Sequence, residues 1–308
     1  MERYAPHARD LAGRDVVARA IIQEIREGRG VGPRKDAVYI DLTHLGKEKI
    51  MERLPELRDL AITFLGLDMI KEPILISATA HYSMGGIPVD KDGHVRKNNT
   101  EFVEGFYAAG ECSCSSVHGA NRLGANSVLE ALLFGRFVGK TMVEEVDSIK
   151  LLPATEADAQ RMVGEIEWAL TNNGQESVAA LREELQQSMT DNAGVFRTAQ
   201  TLSRQVEILK DLRKRYQNIR IADKSKIFNT DLQEAIELGH MLDYSLFIVE
   251  SALARQESRG AHYREDFPAR DDEKFLKHTM ACMDAEGNIT LDYMDVTLGR
   301  HEVKARSY

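Results

Sequence analysis

The sequence predicts an α+β protein. Three observations point there. Short apolar strand candidates alternate with glycine-rich turns over the first half of the chain. An almost unbroken helical pattern runs from Ala157 to Ser258. A strand–turn–strand pattern lies close to the C-terminal end.

The elements follow in order. Arg14 to Glu27 reads as a helix, with Val17, Ala20, Ile21 and Ile25 at helical spacing and Gly28, Gly30 and Gly32 as its stop. Ala37 to Leu42 reads as a short strand. Lys47 to Leu65 reads as a second helix with the stripe Ile50, Leu54, Leu57, Leu60 and Phe64, kinked at Pro55. Ile74 to Ile76 is a strand running into the turn Gly85-Gly86. Gly105 to Gly110 reads as a buried strand closing on Glu111, followed by a polar loop and a helix from Ser127 to Glu145. The pattern changes after Leu152-Pro153. One helix beyond it carries Leu202, Val206, Leu209, Leu212 and Tyr216, another Leu232, Ile236, Met241, Leu246 and Val249. Both stripes read as bundle core. Thr279–Met283 and Ile289–Leu298 flank the turn Asp284–Asn288, the pattern of a hairpin.

Composition narrows the function classes. The chain has 308 residues, 43% hydrophobic and 29% charged, ordinary for a soluble globular protein. A net charge of −9 argues against a general nucleic-acid surface and requires a local cationic pocket for any anionic substrate. The best apolar run, Val128–Val138, is interrupted by Glu130 and Arg136, so no membrane span is expected. Glu2 and Arg3 directly after Met1 do not read as a signal peptide. Three cysteines, Cys112, Cys114 and Cys282, suggest a reducing compartment. Cys112-x-Cys114 is no metal motif by itself, and both read as buried thiols.

The stretch Gly105–Glu130 carries the most chemistry. An acid at a strand tip, Glu111, can accept hydrogen bonds from ribose hydroxyls. Ser127 and Glu130 have the spacing of a capping box, and the helix start would present free N–H groups and a positive dipole end to a ligand in front of it. Taken alone, a capped strand–loop–helix crossover is the commoner meaning. Arg122 in the same loop can hold a carboxylate through two parallel hydrogen bonds, although a loop arginine more often forms a structural ion pair. His81 can donate to a carboxylate oxygen, and taken alone it is more often a packed histidine. Arg14 opens the first helix beside Asp15, where the simple expectation is an exposed neighbour of a favourable helix-start acid. Gly28–Gly32 follows a helix rather than a strand and reads as a stop, not a phosphate loop.

Four blocks together carry a family resemblance: ERYAPHARDLAGRDVVARA at Glu2–Ala20, HYSMGGI at His81–Ile87, AAGECSCSSVHGANRLGANSVLEALLFGR at Ala108–Arg136, and ESRGAHYREDFPARDDEKFLKH at Glu257–His278. In this order they resemble the C-terminal half of the flavoprotein subunit of succinate dehydrogenase and fumarate reductase. The resemblance implies FAD as cofactor, succinate and fumarate as substrates, and Arg14 as the residue that moves the substrate proton. It implies His81 and Arg122 as dicarboxylate binders, Glu111 on the FAD ribose, and Asn126, Ser127 and Val128 at the helix start under the flavin ring. Leucine is usual in the family at Val128. No metal ligands are implied. The implied layout is a capping-domain part over 1–78, a returning part of an FAD-binding domain over 79–150, a helical domain over 151–256 and a small C-terminal domain over 257–308.

The resemblance further implies an iron–sulfur subunit as electron partner, a membrane anchor reached only through that partner, and a peripheral place on the cytoplasmic face of the inner membrane. The family's GxGxxG fingerprint and flavin-linking histidine have no counterpart here, so the chain reads as a fragment that binds FAD poorly alone. Asp41–Gly46 and the tail Lys277–Val296 lean toward menaquinol-using fumarate reductases. Two rivals stand beside this reading. L-Aspartate oxidase shares sequences like HGANRL and ESRG, but Ala261, Arg264, Asp266, Arg270, Asp271 and Asp272 fit the respiratory family better. A non-catalytic module that docks an iron–sulfur subunit is the other.

Overall fold

The computed structural model describes residues 1–150, 153–300 and 302–304. The expected boundary at Leu152-Pro153 therefore lies partly outside the described residues. Two units divide the chain, Met1–Tyr82 with Lys304, and Ser83–Val303. Helices and short strands are mixed throughout, in line with the α+β expectation.

In the first unit, α1 (Arg14–Glu24) starts after Gly13 and buries Asp15, Val16 and Ala20. It does not run as a regular helix to Glu27. A wider turn, Ile25–Arg29, follows, and Gly28 at φ 82° ends it. Strand β1 (Val38–Ile40) pairs antiparallel with a later strand, Ile74–Ile76. Between them the expected kinked helix is two helices, α2 (Gly46–Arg53) and α3 (Pro55–Leu65). Leu54 at φ −135° and ψ 35° breaks the run, and Pro55 restarts it at a position where a missing N–H costs nothing. The break also scatters the expected stripe. Ile50 is fully buried, but Leu57, Leu60 and Phe64 are exposed. The small core consists of Ile50, Ala61, Met69 and Ile74, the last on β2 (Ile74–Ile76).

The second unit opens with β3 (Ile87–Pro88), β4 (His94–Arg96), β5 (Phe102–Tyr107) and β6 (Ser113–Cys114). β3 pairs parallel with β6, and β4 pairs antiparallel with β5 across a register shift. The stretch expected as a buried strand, Gly105–Gly110, folds differently. β5 starts earlier, ends at Tyr107, and is exposed along nearly its whole length. A two-stranded ribbon has only one paired edge, and no neighbouring strand covers the other among the described residues. Helix α4 (Asn126–Glu145) follows and buries only Glu130 and Val138. Val138 packs on Gly93, where a Cβ would come within 2.2 Å of it. His94 ties the ribbon to the end of α4, with its ring nitrogens 2.9 Å from Asp90 and 3.1 Å from Glu145, and Tyr107 donates to Glu145 at 2.6 Å.

The helical part comprises α5 (Glu156–Thr171), α6 (Val178–Ala193), α7 (Ala199–Tyr216) and α8 (Thr230–Ala254), with the two-residue strands β7 (Glu176–Ser177) and β8 (Ile219–Arg220) pairing parallel. Its core is the largest in the chain and includes Leu181, Leu185, Leu202, Leu209, Leu212 and Leu238. Leu202, Val206, Leu209, Leu212 and Tyr216 are all buried, so the α7 stripe is core. Thr198 and Thr201 form a reciprocal capping box that starts α7. On α8 the buried seam is Ala235, Leu238, Leu242, Ser245, Leu246, Val249 and Ala252. Leu232, Ile236 and Met241 are only half-buried. Small residues on the true seam hid it from a reading that followed bulky side chains. Beyond α8 lie a short helix, α9 (Asp272–Phe275), and the hairpin β9 (Lys277–Met283) and β10 (Ile289–Asp295), close to the sequence expectation. Asp284 builds its turn: the side chain accepts from the Asn288 N–H at 2.7 Å, and Gly287 takes φ 84°. No helix among the described residues is long and apolar enough to cross a membrane.

Candidate functional site

The loop between β6 and α4 is organised by a buried acid. Glu130, 4% exposed, accepts from the Ser115 hydroxyl at 2.7 Å and lies 2.7 Å from His118 Nε2. That use of Glu130 removes the expected capping box. The residue ahead of α4 is Ala125 at φ 66°, the helix starts at Asn126, and no side chain caps it. Ser127 therefore sits inside the first turn. Its hydroxyl accepts instead from Arg122 Nη1 at 3.3 Å. Arg122 is buried and also donates to the Leu123 carbonyl at 3.4 Å. The structure thus brings Arg122, Asn126, Ser127 and Val128 together at one helix start. Val128 is exposed there.

Glu111 lies on the segment leading into β6 and is exposed. Its carboxylate accepts the Ser83 N–H at 3.2 Å. The Ser83 hydroxyl lies 2.7 Å from the Tyr244 hydroxyl of α8. Gly86, at φ 119°, sits where a Cβ would be 2.5 Å from the Cys112 carbonyl oxygen, and the Ile87 N–H donates to that carbonyl at 2.9 Å. Gly86 thus lets two backbone segments touch. Cys114 is half-buried, and burial pushes its thiol pKa up. Cys112 is exposed, contrary to the expectation for both thiols, because it lies at the open turn before β6.

Arg14 and His81 belong to the first unit, and both are exposed. Arg14 is the first residue of α1. Its neighbour Asp15 is buried and pairs with Arg19 at 2.9 Å, so Asp15 serves the helix and leaves Arg14 on the surface. His81 follows β2 on the stretch that leads to the unit boundary.

The segment after α8 holds a charge network that the sequence reading used only as a family marker. Glu257 is fully buried. It accepts from Arg255 at 2.6 Å, from Arg259 at 2.8 and 2.9 Å, and from the Asp271 N–H at 2.9 Å. Arg264, 1% exposed, forms a two-bond pair with Asp266 and donates to the carbonyls of Ala252 and Leu253, closing the end of α8. The ring of His262 accepts from Arg197 at Nδ1, 3.1 Å, and donates from Nε2 to the Arg255 carbonyl, 3.1 Å. Burial, then the charge of Arg197, pushes its pKa down to about 4. Residue spacing carries no sign of these pairings. The density of Arg, Asp and Glu in Glu257–Asp272 was the only available signal.

Side-chain oxygens of Asp90 and Asp92 and a ring nitrogen of His94 lie within 4.8 Å of one another. Asp90, however, accepts the N–H groups of Asp92 and His94, and both His94 ring nitrogens already face carboxylates. The group builds a turn.

The fit to a flavin nucleotide rests on two observations. The α4 start has no side-chain cap, and while the Asn126 and Leu129 N–H groups donate to the Leu123 and Ala125 carbonyls, those of Ser127 and Val128 could serve an electron-rich ring. Glu111 has an exposed carboxylate, a group that can accept from ribose hydroxyls.

Comparisons with known proteins agree. A family model described as "FAD binding domain" matches residues 2–128, and one described as "Fumarate reductase flavoprotein C-term" matches residues 182–308. A succinate dehydrogenase flavoprotein subunit from Rickettsia bellii is 45% identical over 99% of this chain and 52% of its own length. A fumarate reductase flavoprotein subunit from Escherichia coli is 41% identical over 94% of this chain and 48% of its own. Among solved structures, E. coli quinol fumarate reductase matches with a TM-score of 0.86 at 41% identity, over 95% of this chain and 50% of that one. The chain spans about half the length of the relatives it matches. Over the matched stretches the chain is similar to the flavoprotein subunits of succinate dehydrogenase and fumarate reductase.

Proposed function

We propose that this chain supplies one half of an FAD-dependent enzyme that interconverts succinate and fumarate in a respiratory complex. The observation that carries the reading is the buried Arg122 bonded to Ser127 at an uncapped helix start: a desolvated guanidinium beside free backbone donors is suited to anionic groups. The sequence of the relatives, named for succinate and fumarate, supports the choice of dicarboxylate.

Bound FAD supplies a two-electron hydride donor or acceptor. Residues of this chain do the rest. Arg122 and His81 hold the substrate carboxylates, fix the olefinic carbons, and stabilise the negative charge that develops as the double bond is reduced. Arg14 moves the proton at the neighbouring carbon. An arginine normally stays charged, so this role rests on the family match at Glu2–Ala20 and on the exposure of Arg14. FAD would be held by Glu111 at the ribose and by Asn126, Ser127 and Val128 at the helix start, where the backbone N–H groups of Ser127 and Val128 would favour negative charge on the ring. An iron–sulfur subunit exchanges electrons with the flavin and joins the chain, as a peripheral subunit, to a membrane anchor on the cytoplasmic face. The physiological direction is set by the quinone, and the tail sequence favours fumarate reduction.

The test is assembly. The chain is co-expressed with a polypeptide equivalent to the other half of the R. bellii relative, purified, and assayed for bound FAD and for fumarate-dependent oxidation of a reduced viologen dye. Activity in the assembly, its loss in Arg122→Ala, and none from the chain alone are expected. Equal turnover by the chain alone would refute the need for the second half. An assembly that binds FAD but shows the same turnover with Arg122→Ala would refute the site.

A further inference from the structure

Two sequence blocks far apart in the chain meet at one backbone contact. Gly260, in the ESRG stretch, has φ +59°. A Cβ there would lie 2.3 Å from the Ala120 carbonyl oxygen and 2.9 Å from Asn121 Cβ. The next residue, Ala261, donates its N–H to that same Ala120 carbonyl at 2.9 Å. Ala120 is two positions before Arg122. The turn that makes the contact is rigid. Arg259 and His262 exchange backbone hydrogen bonds at 2.8 and 3.1 Å, and Arg259 is pinned by the fully buried Glu257 and by Asp272 at 2.7 Å.

We propose that the Gly260-Ala261 turn positions Arg122: it clamps the Ala120 carbonyl and so fixes the loop that presents the guanidinium to a dicarboxylate. The dicarboxylate part rests on the function proposed above. Three features carry the clamp itself. The loop 116–125 has no regular hydrogen-bond ladder of its own, and Ser116 and Ala125 sit at φ 73° and 66°. Its far end is tied down by the pairing of His118 with Glu130. His278 Nε2 lies 3.0 Å from the Ser116 hydroxyl at the start of the loop, and the Ala120 carbonyl, nearer Arg122, is gripped by a separately braced element at an approach that only a residue without a Cβ permits. Glu257, Arg259, Gly260 and Ala261 thereby act on substrate through Arg122 and touch no substrate themselves. This also explains why ESRG accompanies HGANRL in this chain: one is the brace for the other.

The experiment uses the full chain labelled uniformly with ¹⁵N. The Arg122 Nε–Hε resonance is assigned by its loss in Arg122→Lys and then followed in Gly260→Ala. A second variant, with Ala261 replaced by lactate so that an ester removes only its N–H, guards against misfolding from the added methyl. The expected result is a shifted Arg122 resonance in both variants, faster exchange of amides in 118–122, and unchanged helical-bundle resonances. Succinate binding to the assembled enzyme should weaken about tenfold or more, as misplacement of a positioning group commonly does, while FAD content is retained. An Arg122 resonance unmoved in both variants would overturn the clamp. A moved resonance with succinate affinity the same in wild type, Gly260→Ala and Arg122→Lys would leave the clamp standing and remove the dicarboxylate role.

Discussion

His262 should make this protein acid-sensitive in a specific pH window. Its ring is held neutral by burial and by the facing charges of Arg197, Arg255 and Arg264, which lower its pKa from 6.5 to about 4. In the unfolded chain the same ring titrates at its ordinary value. Below about 6.5 the unfolded state therefore binds a proton that the folded state refuses, so stability is complete above that pH and falls as pH drops toward 4. At 1.36 kcal/mol per pKa unit, the gap corresponds to roughly 3 kcal/mol. The assay is urea unfolding from pH 7.5 to 4.5, followed by fluorescence of Trp168, the single tryptophan, which packs 5.3 Å from Tyr216 against the bundle core. His262→Gln keeps one acceptor and one donor but cannot titrate. Carboxylates such as Asp266 titrate in both proteins and cancel in the difference. The wild-type stability should fall relative to the variant by about 2.5 kcal/mol between pH 7.5 and 4.5, the rest of the gap being lost at lower pH. A difference that stays constant from pH 7.5 to 4.5 would refute the neutral, desolvated ring.

Other expectations follow from the same kind of accounting. Leu209→Ala, at a fully buried position in the bundle, should cost about 2–5 kcal/mol in urea unfolding. Thr198→Ala removes one arm of the α7 capping box and should cost about 1 kcal/mol by the same measurement. Gly86→Ala forces a side chain at φ 119° against the Cys112 carbonyl, so it should lower the melting temperature and speed amide exchange at Ile87, whose N–H bonds that carbonyl. His94 has its pKa raised by the hydrogen bond to Asp90 and then by Glu145. Its contribution is full below the unfolded pKa and lost as pH rises through the folded one. An NMR titration should find the ring charged above its ordinary midpoint, with the midpoint falling in Asp90→Asn.

Much of the architecture was legible because periodicity records burial. The α7 stripe from Leu202 to Tyr216 is core because every fourth or third residue had to be apolar, and the hairpin turn is legible because Asp284 and Gly287 have few other uses in that order. The same logic failed where bulk and burial part company. On α8 the seam uses Ala235, Ser245 and Ala252, which a search for large side chains passes over. On α3, Leu57, Leu60 and Phe64 are apolar yet exposed. At the site, the residue types pointed to Arg122 and to the helix start near Ser127, but the capping box was misread. Glu130 has the right spacing for it, yet Ser115 and His118, from the preceding loop, claim its carboxylate. Local spacing cannot register a competitor that arrives through the fold. The Gly260 contact with Ala120 was hidden for the same reason.

The outward side of α4 and the ribbon beside it have a practical consequence. Val128, Leu132 and Phe106 are 64%, 71% and 51% exposed, and Leu129, Leu133, Phe137 and Val143 are exposed with them. A soluble chain rarely leaves so many large apolar residues bare on neighbouring turns of one helix. Made by itself, such a chain should self-associate through that helix at high concentration, and covering the helix should raise its yield in a cell.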